Sequence, residues 1–340
     1  MRRWNGWGDE NNNMALPESA VKFLKSTLKP GPILEECSLA NAIAKVPSSK
    51  LSKLTLLPTI TLDKEQRVRH AKGQSLPDWL AMHSGDISLF PDGVCFPNNR
   101  QEVQAILTFA QQHDIDLIPY GGGTSVAGHI NPQKSNRAII TVNMSHMNQL
   151  INLDEMSNIA HFGAGTPGPM VEAQLRAHGY TLGHFPQSFE LSTIGGWVAS
   201  RSSGQQSLRY GRIEQMFAGG TCETFDGTIE VATFPASSAG PDLREMLLGS
   251  EGRFGIISEV KVRVSKLAEQ EQFSVYFFPN WQEASQFCQH VVQQRTPLSM
   301  LRVSNAIETQ TQLKLAGHEN AISWLEKYLA LRGCKQNKCM

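Results

Sequence analysis

The chain has 340 residues, enough for about two domains with real cores. Its 31 basic residues balance its 31 acidic ones, which excludes a strongly charged nucleic-acid or membrane-surface module, and 40% hydrophobic against 18% charged residues excludes a disordered chain. No apolar run reaches the eighteen or so residues of a membrane span, and the start lacks the basic-then-apolar order of a secretory signal, so the expected address is cytoplasmic.

From the start to about Pro58 the chain is mixed, with prolines at 17, 30, 32, 47 and 58 around a helical patch at 18–28. Residues 1–89 read as an arm on the main body. Then Val94 to Phe96 reads as a strand, Arg100 to His113 as a helix with Val103, Ile106, Leu107 and Ala110 on one face, and Leu117 to Pro119 as a second strand. Ala138 to Val142 and Ile159 to Phe162 are further β-rich runs, and Met170 to His178 is helical up to Gly179. A hairpin is expected over 215–231 around Asp226-Gly227, followed by an alternating strand from Phe254 to Val264. A boundary near Ser265 precedes a predicted strand, Phe273 to Phe278, and two helices, Trp281 to Gln294 and Ala321 to Leu331. The fold class is α+β, with residues 90–265 as the central domain and 266–340 as a second, incomplete one.

Four glycine-rich runs carry the chemistry. The first, Pro119-Tyr120-Gly121-Gly122-Gly123-Thr124-Ser125, follows a strand; three residues without β-carbons let successive N–H groups turn toward a phosphate, and two hydroxyls add donors. Val126 occupies the third glycine position of a Gly-x-Gly-x-x-Gly fingerprint and no Lys follows, so neither the nicotinamide nor the ATP pattern fits. A flexible tight turn is the competing reading. The second run, Gly163-Ala164-Gly165-Thr166-Pro167-Gly168, reads equally as ligand contact or as a helix start capped by Thr166. In the third, from Gly183 to Gly204, small hydroxyl residues and glycines suggest the lining of a large polar ligand more than a packed element; Arg201 offers an anion partner or a solvated charge, and His184 reads as structural. The fourth, Gly249-Ser250-Glu251-Gly252-Arg253-Phe254-Gly255-Ile256-Ile257, enters a strand. Four such runs at strand ends fit a dinucleotide better than four unrelated turns. Six cysteines, at 37, 95, 222, 288, 334 and 339, have no Cys-x-x-Cys pair and read mostly as buried thiols, with no metal site.

In this order the runs resemble the FAD-binding fold of the vanillyl-alcohol oxidase type, also called the p-cresol methylhydroxylase (PCMH) type. Within that family the likeness is to the alkyldihydroxyacetone-phosphate synthases and their bacterial FAD-linked oxidase relatives. It is carried also by Trp4-Asn5-Gly6-Trp7-Gly8, by Phe189-Glu190-Leu191-Ser192-Thr193-Ile194-Gly195-Gly196-Trp197 and by Tyr210-Gly211-Arg212-Ile213-Glu214. The resemblance implies a PCMH-type fold of two subdomains followed by a truncated α/β cap, and noncovalent FAD held by Pro119 to Ser125, by Gln187, Ser188, Phe189, Glu190, Leu191, Ser192 and Thr193, by Ser200, Arg201, Ser202 and Ser203, and by Glu251, Gly252, Arg253, Phe254, Gly255, Ile256 and Ile257. It makes Arg302 similar to an arginine that the synthases need for activity.

The reaction implied is the redox-neutral exchange of an acyl for an alkyl group on dihydroxyacetone phosphate, in ether-lipid synthesis, with the flavin N5 holding the substrate carbon. A small-molecule substrate, a homodimer and peripheral membrane contact through the lipid come with the likeness; nucleic acid does not. Two rivals stay open: an FAD-dependent 2-hydroxy-acid dehydrogenase of the lactate or glycolate type, and an inactive flavin-binding fragment. Gln187 stands where eukaryotic synthases have an acid, and Ser202 to Arg209 is more basic, which points to a different substrate. The residues from Arg332 to Met340 match no family element, and the expectation is a truncated or frameshifted product.

Overall fold

The computed structural model describes residues 2–12, 15–28, 31, 35–235 and 237–340. It separates into two compact units, one of Met1–Asp9 and Leu34–Leu267, the other of Glu10–Ile33 and Ala268–Met340. The residues expected to form an arm are thus divided between the two.

The first unit contains two principal sheets. In the first, β1 (Ile60–Thr61), β2 (Gly93–Cys95), β3 (Ile115–Tyr120) and β4 (Ala138–Asn143) lie in the order β1-β2-β4-β3, with β2, β4 and β3 parallel and β1 antiparallel at the edge. The crossover from β2 to β3 is the helix Arg100–Gln112, which starts where the Asn99 side chain accepts a hydrogen bond from the Glu102 N–H. Val103, Ile106, Leu107 and Ala110 share one helix face and are buried with Ile140 and Val142 of β4. The first glycine run therefore begins at the carboxyl end of a parallel strand, where α/β sheets place their ligands.

The second sheet is antiparallel. It comprises β5 (Leu150–Asp154), β6 (Ile159–Gly163), β8 (Phe217–Thr224), β9 (Gly227–Val231) and β10 (Ile256–Arg263) in the order β5-β6-β10-β8-β9, while β7 (Tyr180–Thr181) pairs with β11 (Ser265–Lys266). The expected hairpin is β8 and β9, paired from Gly220↔Val231 to Thr224↔Gly227. Its first residues instead form a helical turn, Ile213–Met216. Against this sheet pack Val171 and Leu175 of the helix Gly168–Arg176 and Ile194, Trp197 and Val198 of the helix Ile194–Ser200. Part of the third glycine run is thus core, because Ile194, Trp197 and Val198 recur at helical spacing and bury together.

One buried carboxylate joins the helix Arg100–Gln112 to the second sheet. Glu223 on β8 has no exposed surface and accepts hydrogen bonds from Arg100 Nε at 2.8 Å, Gln104 Nε2 at 3.0 Å, Thr228 Oγ1 at 2.6 Å and Ser258 Oγ at 3.2 Å. Burial alone would raise its pKa, but the bonds from Thr228, Arg100 and Gln104 hold it below its ordinary 4.5.

In the second unit, helices Glu18–Thr27, Trp281–Gln293, Ala306–Leu315 and Glu319–Leu331 carry the structure. The strand expected over 273–278 does not form: only Phe278 pairs, bridging Cys339, and Phe273, Val275 and Tyr276 are exposed. An apolar alternation is not a strand until an edge is there to pair with it. The last residues do find partners: Phe278 and Cys339 exchange both backbone hydrogen bonds, as do Ser304 and Met340. Four of the six cysteines are buried, and all six are free thiols.

Replacing Arg100 strands a buried carboxylate. Arg100→Ala should cost about 2–3 kcal/mol of unfolding free energy at pH 7 in urea titrations. Because the folded pKa of Glu223 is depressed, this contribution is complete above pH 4.5 and disappears as pH falls through the folded value, so the gap between the two proteins should narrow in acid.

Candidate functional site

The cleft is built on a contact between two backbones. Gly121, Gly122 and Gly123 leave β3, and the first two lie on the segment Leu191–Thr193. A β-carbon on Gly122 would overlap the Leu191 carbonyl oxygen, one on Gly121 would overlap Thr193 Oγ1, and one on Gly123 would overlap the Tyr120 hydroxyl. Gly123 also has φ +63°, the left-handed region. Here glycine is required for space as much as for conformation.

The opposite segment is fixed by the core beneath it. The Thr193 side chain accepts a hydrogen bond from the Gly196 N–H at 3.3 Å and so caps the helix Ile194–Ser200, while Trp197 Nε1 donates to Ser192 Oγ at 2.7 Å. The fourth run closes the cleft: the N–H groups of Gly249 and Glu251 donate to Val198 O and Ala199 O at the end of that helix. Gly252 and Glu251 adopt positive φ there.

The resulting cleft has a volume of about 340 Å³. The expected residues Pro119 to Ser125, Ser188, Ser192, Thr193, Ser200, Ser202, Glu251, Gly252, Gly255, Ile256 and Ile257 line it. Others of the expected set lie elsewhere. Gln187, Glu190 and Ser203 are exposed outside it, and Phe189 packs against Gly168. Leu191 lines a separate cavity behind the glycine loop, and Arg253 and Phe254 border a third. Arg201 turns its guanidinium to Glu245 at 2.8 Å and Glu214 at 4.0 Å, which satisfies the cation without an anionic ligand. Arg302 belongs to the second unit, where it pairs with Glu308. The second run supplies Ala164 to the cleft wall; Thr166 does not cap the following helix but donates to Gly163 O at 2.7 Å, leaving Pro167 at the cap position.

Sequence reasoning missed Met144, at the end of β4, and His129, which touches Ser125 Oγ at 3.2 Å and Glu251 at 3.7 Å. The turn at Gly128, with φ +79°, brings His129 back to the loop.

Among the described residues no Lys or Arg side chain lines the cleft, so an anion there would be met by backbone N–H groups and by the hydroxyls of Thr124, Ser125 and Ser202. Two neutral histidines sit nearby. Burial pushes His184 down to about 4; its Nε2 lies 2.7 Å from Ser202 Oγ and its Nδ1 has no partner among the described residues. A bare acceptor is the cheaper nitrogen to bury, so the proton is assigned to Nε2, which donates to Ser202 Oγ and leaves the serine proton for the cleft. His70, also held near 4 by burial, contacts Gln66 O through Nδ1 and the Asn143 amide through Nε2, with its ring against Tyr120. Burial raises the Tyr120 hydroxyl.

Comparison with known proteins identifies the family. Residues 91–233 match the FAD binding domain family. The chain is 30% identical over 365 residues to the alkyldihydroxyacetonephosphate synthase of Dictyostelium discoideum, covering 96% of this chain and 60% of that protein, and 32% identical over 312 residues to that of Trypanosoma brucei brucei, covering 83% and 51%. A solved alkyldihydroxyacetonephosphate synthase structure superposes with a TM-score of 0.88 at 30% identity, over 99% of this chain and 67% of that one. The chain belongs to the FAD-binding family of the alkyldihydroxyacetonephosphate synthases. Its fold is the PCMH-type FAD-binding fold and its cofactor is FAD. The chain spans about 60% or less of the two curated relatives. Among the described residues no cluster of metal-ligating side chains occurs and no helix is long and apolar enough to cross a membrane.

The residues present fit the cofactor: a glycine cradle with no room for β-carbons and a hydroxyl-rich wall. Gly122→Ala should displace Leu191, cost more than about 3 kcal/mol of stability and weaken FAD binding roughly 100-fold or more, as read by thermal melting and flavin fluorescence titration. A second test uses pH. Because His70 and His184 are depressed from 6.5, the unfolded chain takes up their protons first, and stability should fall as pH drops from 6.5 toward 4. The double variant His70→Asn, His184→Asn should flatten that slope in urea titrations.

Proposed function

We propose that this chain is an FAD-dependent enzyme of the alkyldihydroxyacetonephosphate synthase kind, acting on an ester of dihydroxyacetone phosphate and replacing its acyl group with an alkyl group. The observation that carries the reading is the seating of Gly121 and Gly122 on Leu191–Thr193, in a chain of which 99% superposes on a synthase. Bound FAD supplies the electron-accepting ring on which the chemistry turns. The chain's own residues bind and orient it: the loop amides and the Thr124 and Ser125 hydroxyls receive the pyrophosphate, and Ser202, fixed by His184, offers its proton to the ligand. Among the described residues the cleft holds no cysteine and one histidine, His129, already engaged by Ser125 and Glu251, which supports noncovalent attachment.

Arg302 of the second unit enters the proposal as a catalytic arginine, on its similarity to one that the synthases need for activity. The same likeness supports a homodimer and peripheral contact with a lipid surface through the substrate.

The test is anaerobic. The FAD-loaded chain, given an acyl dihydroxyacetone phosphate and a fatty alcohol without any electron acceptor, should form the alkyl ether and release fatty acid, and Arg302→Ala should lower that rate at least tenfold. Bleaching of the flavin by a 2-hydroxy acid, with no ether formed, would establish the dehydrogenase instead. Saturable FAD binding with neither reaction would establish the inactive fragment.

A further inference from the structure

The segment 2–9 closes on itself and delivers one side chain to the back of the glycine loop. Arg2 and Asp9 form an antiparallel bridge, the Arg3 N–H donates to Gly8 O at 3.0 Å, and Arg3 Nε donates to Asp9 O at 3.2 Å. The Arg2 carbonyl accepts from Arg69 Nη1 at 2.9 Å, and Arg69 is itself braced by Glu65 at 2.8 Å. Thus anchored, the Arg2 guanidinium donates to the carbonyl oxygen of Gly122, to that of Gly123 at 3.4 Å, and bonds the Tyr120 hydroxyl.

These contacts fix more than the carbonyls. In a trans peptide the C=O and the N–H point in opposite directions. The Gly122 carbonyl shares its peptide plane with the Gly123 N–H, and the Gly123 carbonyl shares its plane with the Thr124 N–H. Arg2 and Gly122 line the cavity behind the loop, whereas Gly121 to Ser125 line the cleft. A guanidinium that draws both carbonyls backward therefore turns both N–H groups forward, and the +63° φ of Gly123 makes the two converge. The cation also places a formal positive charge behind a cleft that, among the described residues, has no Lys or Arg side chain of its own.

We infer that Arg2 is a positioning residue for the cofactor phosphates: it holds the Gly122 and Gly123 carbonyls so that the Gly123 and Thr124 amides are preset as anion donors. This inference rests on FAD as the occupant of the cleft. It assigns the beginning of the chain a part in cofactor binding through a bidentate donor that a lysine cannot reproduce.

The experiment uses the full chain with any purification tag at its C-terminus. FAD affinity is measured by fluorescence titration for the wild type, Arg2→Ala, Arg2→Lys and Lys53→Ala, and amide hydrogen exchange at Gly123 and Thr124 is measured in the FAD-free proteins. Arg2→Ala should raise the FAD Kd at least tenfold and speed exchange of the two amides at least tenfold; Arg2→Lys should fall between it and the wild type; Lys53→Ala, which removes an exposed charge of the same sign away from the loop and its anchor, should stay within twofold. An Arg2→Ala Kd within twofold of wild type, or an equal loss in Lys53→Ala, overturns the inference. If Arg2→Ala fails to fold, Arg2→Lys decides: a wild-type Kd and wild-type exchange overturn it. If the wild type itself does not bind FAD, the cofactor reading fails, and the exchange measurement alone judges the hold of Arg2 on the loop, unchanged rates refuting it and faster rates upholding it.

Discussion

The close approach of Gly121 and Gly122 to Leu191–Thr193 is the constraint on which the site depends. Two chain segments separated by about seventy residues lie nearer than a side chain between them would allow, and the loop they hold lines the cleft. The contact is possible only because each segment is fixed from below. The loop leaves the end of β3, held in register with β4 from Ile115↔Ala138 to Tyr120↔Asn143, and its counterpart runs directly into a helix whose Trp197 is sealed in the core. A single β-carbon in the loop propagates into both sheets' packing.

The electrostatics of the cleft follow from that backbone design. An anion would be met by backbone dipoles and hydroxyls in a wall with no Lys or Arg among the described residues, while His70 and His184 nearby remain neutral because burial makes their protonation costly. Oriented amides need no reorganisation when the ligand arrives. Other formal charges of the unit are paired away from the cleft, as in the Arg100–Glu223 pair that ties the helix of the first sheet to the strands of the second.

Much of this was legible in the sequence because the signals were local. The helix Arg100–Gln112 declares its buried face by spacing, the hairpin declares itself by Asp226-Gly227, and the glycine run after β3 declares a backbone that must come close to something. What it comes close to is a long-range fact. No local pattern says that Leu191 lies under Gly122, that Arg201 is consumed by Glu245, or that His129 folds back onto Ser125. The third run was misleading for a physical reason: its glycines and hydroxyls suggest a lining, yet Ile194, Trp197 and Val198 at helical spacing make it a core helix whose polar edge alone faces the cleft. The strand expected at Phe273–Phe278 failed because alternation states a preference, while a strand also needs a partner.

A synthase likeness and a glycine cradle both reduce to one claim, that this chain binds FAD in the cleft between the loop and the Leu191–Thr193 segment. The most direct measurement is an FAD titration of the purified, folded chain by flavin fluorescence and visible absorbance, followed by acid precipitation. The account predicts saturable binding of one FAD per chain, with the flavin released into the supernatant by acid. A folded chain that leaves FAD free at all concentrations would contradict it.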